Sequence, residues 1–451
     1  MRRWRDSFSL ANTGGVTRRY ALLAGLQEFA IWLPLPVLVL HMTDRGLDLA
    51  MIGFAFAIRA IFVVLLEVPT GGLADAIGRK PVALVSQAST LVSFVFLLLV
   101  GGPTTLFLYA LFQGIGAALH SGALEAWYVD KLKATDPGVG LQRNLATISV
   151  AQTAAMLLGA GIGGTLPSLM SGWNLPWPLA GFGVALLAGL LLRLVVLWLT
   201  MVLVEEPEFA GKARPANVLA TPTIIRDGLH LARRIPVMRY LLLAGAAMGM
   251  AIVSLETFWQ PIASLTFGAD PESSGIYGLL GLALGAAGLL GSLAVMRFGD
   301  RFPGGPAALA GASQLLKGVA MLLLALHAGG AGVVLGLTLA FFAVATQNVP
   351  HDALLNDAVP AERRSIMLSI NSLALFLGVA VGAGSLGFLA NLSDPRLALA
   401  IAASLTLVAS LAYVGVALAR RQASQAEVDA EPGVAGLAVS ADLPPSTDPL
   451  G

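Results

Sequence analysis

The stretch EVPTGGLADAIGRK, residues 67–80, is a compact charged turn set between two long apolar runs. Its glycines, Asp75, Arg79 and Lys80 stand in a chain in which 57% of residues are hydrophobic and only 12% are charged. Such a balance reads as a membrane protein. Working outward from the turn, apolar runs of about 20 residues, the length that crosses a bilayer core, recur along nearly the whole chain. Their limits are 20–41, 50–70, 81–101, 104–128, 144–167, 177–203, 239–267, 274–297, 306–328, 331–350, 365–391 and 396–419. Backbone groups in lipid must be satisfied within the segment, and no ten-residue alternating pattern speaks for a barrel. The sequence therefore predicts an all-α membrane protein with twelve transmembrane helices. No removable signal peptide is evident, and the absence of cysteine excludes disulfides and thiol chemistry.

Basic residues fix the expected orientation. With the first terminus placed inside, 22 of the 27 Lys and Arg residues fall on the inner side, and only Arg45 and Arg396 on the outer. Arg59, Arg193 and Lys317 fall within helices. Both termini are then expected to be cytoplasmic.

The chain also repeats itself. RYALLAG at 19–25 returns as RYLLLAG at 239–245, and the charged turn has an echo in RFGDRFPGG, 297–305, where Asp300 follows Asp75 by 225 positions. Two pseudo-symmetric six-helix bundles follow, at 1–203 with a short cytoplasmic arm and at 239–420. Residues 204–238 form a cytoplasmic linker in which Ile224, Ile225, Leu229, Ala232 and Ile235 trace a possible surface helix. The polar, Pro-containing tail 421–451 carries five acids and no base after Arg421 and is expected to be disordered.

GGLADAIGRK resembles the signature between helices two and three of the major facilitator superfamily. The resemblance, covering about 15–420, implies the major facilitator fold and a conformational latch formed by Gly71, Asp75, Gly78, Arg79, Glu125, Asp130 and Asp300. Asp75 would meet the N-terminal end of helix eleven near VPAERRS, and Arg79 would pair with Glu125 or Asp130 of SGALEAWYVDKL, a stretch that looks like bacterial drug-export members. Two further signatures match in part. FQGIGAA, 112–118, resembles the exporters' fourth-helix signature but has Ala110 where Arg is expected; GAGIGG, 159–164, resembles the antiporters' fifth-helix signature but has Ala160 in place of Pro. Close helix packing accounts for those glycines equally well.

Charges within helices carry the mechanistic reading, because an ionisable group in the bilayer faces a cavity or a partner. At about 1.5 Å per residue, Glu28 lies about 12 Å into helix one and Arg59 about 13 Å into helix two, both near mid-depth. Glu28 is the first candidate for proton coupling and Glu256 the second; if Arg59 reaches Glu28, the two form a structural lock instead. Glu28, Trp32 and Pro34 resemble Glu256, Trp259 and Pro261, but at an offset of 228 rather than the 220 of the RY repeat, so the glutamates are expected at different depths. Gln27, Trp32, Arg59, Trp259, Gln260 and Lys317 are candidates for a substrate cavity, with ordinary packing the alternative for each tryptophan. Lys317 would neutralise an anionic solute or be locked by a carboxylate. His120 is read as satisfying a local backbone carbonyl.

The expected function is secondary active transport of a small amphiphilic organic solute by alternating access, with export in exchange for protons as the direction the resemblance implies. An importer, whether proton symporter or uniporter, is the first alternative; a lipid flippase or ligand sensor on a carrier fold is the second. No phosphate-binding GxxxxGK[ST] loop and no catalytic constellation appear, so an enzyme or an ATP-driven pump is not expected. Neither cofactor nor metal is called for, nucleic acid is not an expected partner, and the bilayer and protons are. A monomer in the cell membrane, the bacterial inner membrane by resemblance, completes the expectation.

Overall fold

The computed structural model of the chain describes residues 12–71, 73, 77–120, 123–206, 234–327, 329–359 and 364–430. Twelve helical spans within them are long and apolar enough to cross a membrane: α1 Thr13–Asp44, α2 Leu49–Glu67, α3 Arg79–Leu98, α4 Pro103–Thr135, α5 Leu141–Met170, α6 Gly183–Leu203, α7 Pro236–Phe267, α8 Pro271–Arg301, α9 Gly305–Leu326, α10 Gly330–Asp357, α11 Met367–Leu392 and α12 Pro395–Gln422. No strand occurs among the described residues. Several spans outrun their apolar cores. Span α7 has 32 residues, about 48 Å of helix. Twelve crossings return the chain to the face where it began, here called the terminal face; the other is the distal face.

Spans α1, α3, α4, α5 and α6 pack against one another with α2 on α4, and α7 to α12 pack likewise, α7 on α11 and α12 and α9 on α10. The two sets meet along α2 with α11 and α5 with α8. Small residues make these crossings close. A methyl group at Gly163 would overlap the Leu33 carbonyl of α1, and one at Gly164 would overlap the backbone of Gly278 on α8. The GAGIGG stretch thus brings α5 against both α1 and α8, as van der Waals packing of membrane helices requires.

Prolines shape α1. Pro34 and Pro36 break it into a helix Thr13–Trp32, a 3-10 turn Leu35–Val37 and a resumed helix Leu38–Asp44. The resumed helix has orphan backbone donors at its start. Gln260 of α7 satisfies them: its carbonyl oxygen accepts from Val39 N at 2.8 Å and Leu40 N at 3.2 Å, and its amide donates to Leu35 O at 2.9 Å. At the same distal end, Ser168 N of α5 donates to Ser274 Oγ at 2.9 Å. Pro261, by contrast, lies inside a helix that remains one element.

One expectation is corrected. The last helix does not stop at Arg421 but runs from Leu411 to Ala430, since Gln, Ala and Glu in RRQASQAEVDA are good helix formers. Residues 431–451 lie outside the described residues, as do 224–232 of the surface helix read over 224–235, whose last residue, Ile235, precedes the helix from Pro236.

Candidate substrate cavity

A cavity lies where the two sets of helices meet, lined from α1, α2, α7, α8 and α10. Five of the residues singled out from the sequence face it together: Trp32, Arg59, Glu256, Trp259 and Gln260. Leu35, Leu38, Phe56, Leu284 and Phe341 supply an apolar wall. The Trp259 ring is tilted against Tyr277 with centroids 6.0 Å apart, and Tyr277 Oη donates to Gly268 O at 2.6 Å. These contacts hold one aromatic wall. The amide of Gln260 is already committed to the break in α1, so its part in the cavity is chiefly architectural.

The charges pair differently from the expectation. Arg59 of α2 and Glu256 of α7, one from each set of helices, line the cavity together, and Arg59 acts electrostatically on Glu256. Glu28 instead has Trp32 as its side-chain hydrogen-bond partner and Arg193 of α6 as its cationic neighbour. The guanidinium of Arg193 sits 4.2 Å above the Phe94 ring. Glu28 lies one turn before Trp32 on the same face of α1, but only Trp32 lines the cavity. Gln27 takes yet another direction, with Nε2 3.1 Å from His120 Nδ1. His120 thus answers a side chain on α1 rather than a backbone carbonyl.

Lys317 is not among the residues lining the interface cavity. It is buried within the second set of helices, where Nζ donates to Gln347 Oε1 at 2.6 Å. Gln347 in turn donates to Gln314 and to Tyr413, and His351 joins Tyr413 at 2.8 Å. An amide oxygen, not a carboxylate, holds this ammonium.

On the terminal face, Arg79 Nη1 lies 2.6 Å from Asp130 Oδ2, between α3 and α4. Gly78 has φ of +99°, a conformation that favours glycine, where the chain turns into α3. Glu125 is exposed beside Tyr20, and Asp300 is exposed in the 3-10 turn Gly299–Arg301. Gly71 ends the helix Leu49–Gly71, while Asp75 and residues 360–363 of VPAERRS lie outside the described residues. Two partners were not singled out from the sequence. Glu206, beyond α6, accepts from the backbone N–H of Arg79 and Lys80 at 2.9 Å each, capping α3 from 126 and 127 residues away. Glu67, within the stretch quoted at the outset, binds Ser372 of α11 through both oxygens. A carboxylate closing an apolar run was the available signal for Glu67; nothing local marks a cap supplied from so far along the chain.

Comparison with known proteins decides the family. The profile of the Major Facilitator Superfamily matches residues 20–350 and 273–440. The chain belongs to that superfamily. Its members' architecture agrees with the twelve spans, and the chain is of a transporter family rather than an enzyme. Among solved structures, a point mutant of the nucleoside transporter NupG is similar over 89% of this chain and 99% of that one, with 16% identity and a TM-score of 0.74. A point mutant of the peptide transporter POT, in complex with sulfate, is similar over 90% of this chain and 94% of that one, at 17% identity and a TM-score of 0.67. A bacterial homologue of the human lysosomal transporter Spinster, inward-facing and unoccupied, gives 92% and 98% at 16% identity and a TM-score of 0.64. These likenesses establish the fold. No curated protein matches the sequence.

Proposed function

We propose that this superfamily member carries a small amphiphilic organic solute by alternating access and exports it in exchange for protons, with both termini in the cytoplasm. One observation supports the coupling above all: Arg59 and Glu256 come from opposite sets of helices and line the same cavity. Opposite charges carried by the two sides of one cavity cannot keep their spacing when the two sides rock. A proton taken up by Glu256 removes its hold on Arg59, so protonation, solute occupancy and the rocking motion become linked. Glu28, with Arg193 beside it, is a second acceptor within the first bundle. The tryptophans and apolar wall suit an amphiphile, and the two charges limit how apolar it can be.

The test is transport by the purified chain in liposomes under an imposed pH gradient. Solutes are first selected by thermal shift from amphiphilic antibiotics, sugars and organic acids, since a ligand of the folded form raises apparent stability. Accumulation against the solute gradient, with protons moving the opposite way, supports exchange. Movement of both in one direction makes the protein a cotransporter, and flux indifferent to the gradient makes it a uniporter. Redistribution of headgroup-labelled lipid without solute flux would replace the proposal with lipid flipping. Glu256→Gln is expected to abolish gradient-driven accumulation while preserving solute counterflow; coupling unchanged in both Glu256→Gln and Glu28→Gln overturns the assignment.

A further inference from the structure

Arg59 lines a second space as well. Inside the first six helices, next to the interface cavity, is a cavity whose walls come from α1, α2, α3, α4 and α6. Its polar lining includes Arg59, Arg193 and Gln113, with Gln87, whose amide already donates to Thr200, and with Gln27 and His120, which bond to each other. Three of the polar atoms in these side chains are unmet. Arg193 is only 8% exposed, yet its Nε has no hydrogen-bond partner among the described residues, nor has the buried Nε of Arg59, nor Oε1 of Gln87. Buried polar groups in folded proteins are overwhelmingly paired, so two guanidinium groups with open donors in one cavity mark a place for an acceptor. Gln113 spends its carbonyl oxygen on the Ser93 hydroxyl at 2.7 Å, which leaves its amide NH2 as the free end. Phe94, lying flat beneath Arg193, holds that guanidinium in place without using its donors.

We infer that this inner space is the subsite for an anionic group on the transported solute, a single carboxylate held by Arg59 and Arg193, with the solute's apolar body between Trp32 and Trp259 in the interface cavity. The inference rests on the transport reading above and names its substrate class. Arginine's planar fork matches a carboxylate with two parallel hydrogen bonds, an arrangement that adds direction to charge attraction. Glu28 beside Arg193 and Glu256 opposite Arg59 already offset part of the positive charge. A dianionic phosphate would be repelled by those carboxylates, and an organic cation would meet two guanidinium groups. A monoanion is the species the balance admits. Arg59, shared by both cavities, stands where head and body of such a molecule would join.

The experiment compares 4-phenylbutyrate, decanoate and indole-3-acetate with their neutral amides, with the matching amines and with phenyl phosphate. Thermal shift and equilibrium binding are read on the full chain in nanodiscs. Carboxylates are expected to bind, and their amides, the amines and the phosphate about tenfold or more weaker. Arg59→Gln and Arg193→Gln should each weaken carboxylate binding by about tenfold. If a glutamine variant fails to fold, Arg59→Lys and Arg193→Lys keep the charge beside each glutamate but lose the fork, and are expected to bind about fivefold or more weaker. Binding of amides or amines as tight as that of the acids, no binding by any carboxylate, or arginine variants indistinguishable from the parent would each overturn the subsite. Proton-coupled transport of a neutral or cationic solute would also sink it while leaving the function proposed above intact.

Discussion

Glu67 at the end of α2 accepts the Ser372 hydroxyl of α11 on both carboxylate oxygens, at 2.8 and 2.9 Å. The bond crosses between the two sets of helices toward the terminal face, while Gln260 and Ser274 tie them at the distal end. The interface cavity lies between these ties. Opening toward one face must break one group of contacts and keep the other, which turns particular side chains into measurable controls on the equilibrium between states.

Ser372→Ala removes the hydroxyl donor from Glu67. Losing a hydrogen bond to a charged group is worth about 1.5 to 3 kcal/mol, and part of this is recovered by hydration, so the population should shift about tenfold toward separation at the terminal face. The chain has no cysteine, so spin labels can be placed by two substitutions alone. Val150 on α5 and Met296 on α8 are 69% and 77% exposed and suit this purpose. The expected result is a longer mean distance between them in double electron–electron resonance. An unchanged distribution removes the Glu67 contact from gating.

Gln260→Leu attacks the other end. The resumed helix of α1 would lose the acceptor for Val39 N and Leu40 N, and Leu35 O would lose its donor. These groups are buried, and each unmet one costs about 1 to 3 kcal/mol. The melting temperature should fall clearly, whereas Gln260→Glu keeps the acceptor for both backbone donors and should retain more stability. Equal melting temperatures for parent and Gln260→Leu would show the cap to be dispensable.

How much of this was legible beforehand differs from residue to residue. Arg59, Glu256 and the two tryptophans announced themselves because charges and amphipathic rings are costly or conspicuous within apolar spans, and the cavity gathers them. Their pairing was not legible. Glu28 and Arg59 share a depth, but depth along a span does not say which neighbouring helix supplies the partner, and the cation beside Glu28 is Arg193 of α6. Lys317 shows the same limit: an in-membrane cation signals a partner without saying that the partner is an amide in the interior of a bundle. Glu206 lay beyond reach because its cap on α3 depends on how α6 ends beside α3, a tertiary fact.

Gly163 and Gly288 provide a matched pair for helix packing. Both are helical glycines, but a methyl at Gly163 would overlap the Leu33 carbonyl, whereas one at Gly288 meets nothing within 4 Å. Gly163→Ala should therefore lower the yield of folded protein and its melting temperature sharply, since neighbouring backbone must move. Gly288→Ala should be neutral or slightly stabilising, because alanine favours helix over glycine by about 1 kcal/mol. Fluorescence-detected size exclusion of the two variants checks the contrast, and comparable losses would refute the packing role.

Asp130 and Glu206 both serve the turn that opens α3, by different physics. Asp130 pairs with Arg79 at 2.6 Å but is 65% exposed, and exposed ion pairs contribute only about 0 to 1 kcal/mol. Glu206 holds two backbone donors at the start of α3 with a charged acceptor, an interaction strengthened by the positive end of the helix. Glu206→Ala should thus destabilise the protein more than Asp130→Ala, by about 1 to 2 kcal/mol, the usual cost of losing a cap. High salt should erase much of the smaller effect and little of the larger one, because screening acts on exposed charges. Thermal unfolding of the two variants at low and high salt measures both quantities. If Asp130→Ala proves the more damaging at every ionic strength, the ion pair rather than the cap secures the turn, and the long-range role assigned to Glu206 fails.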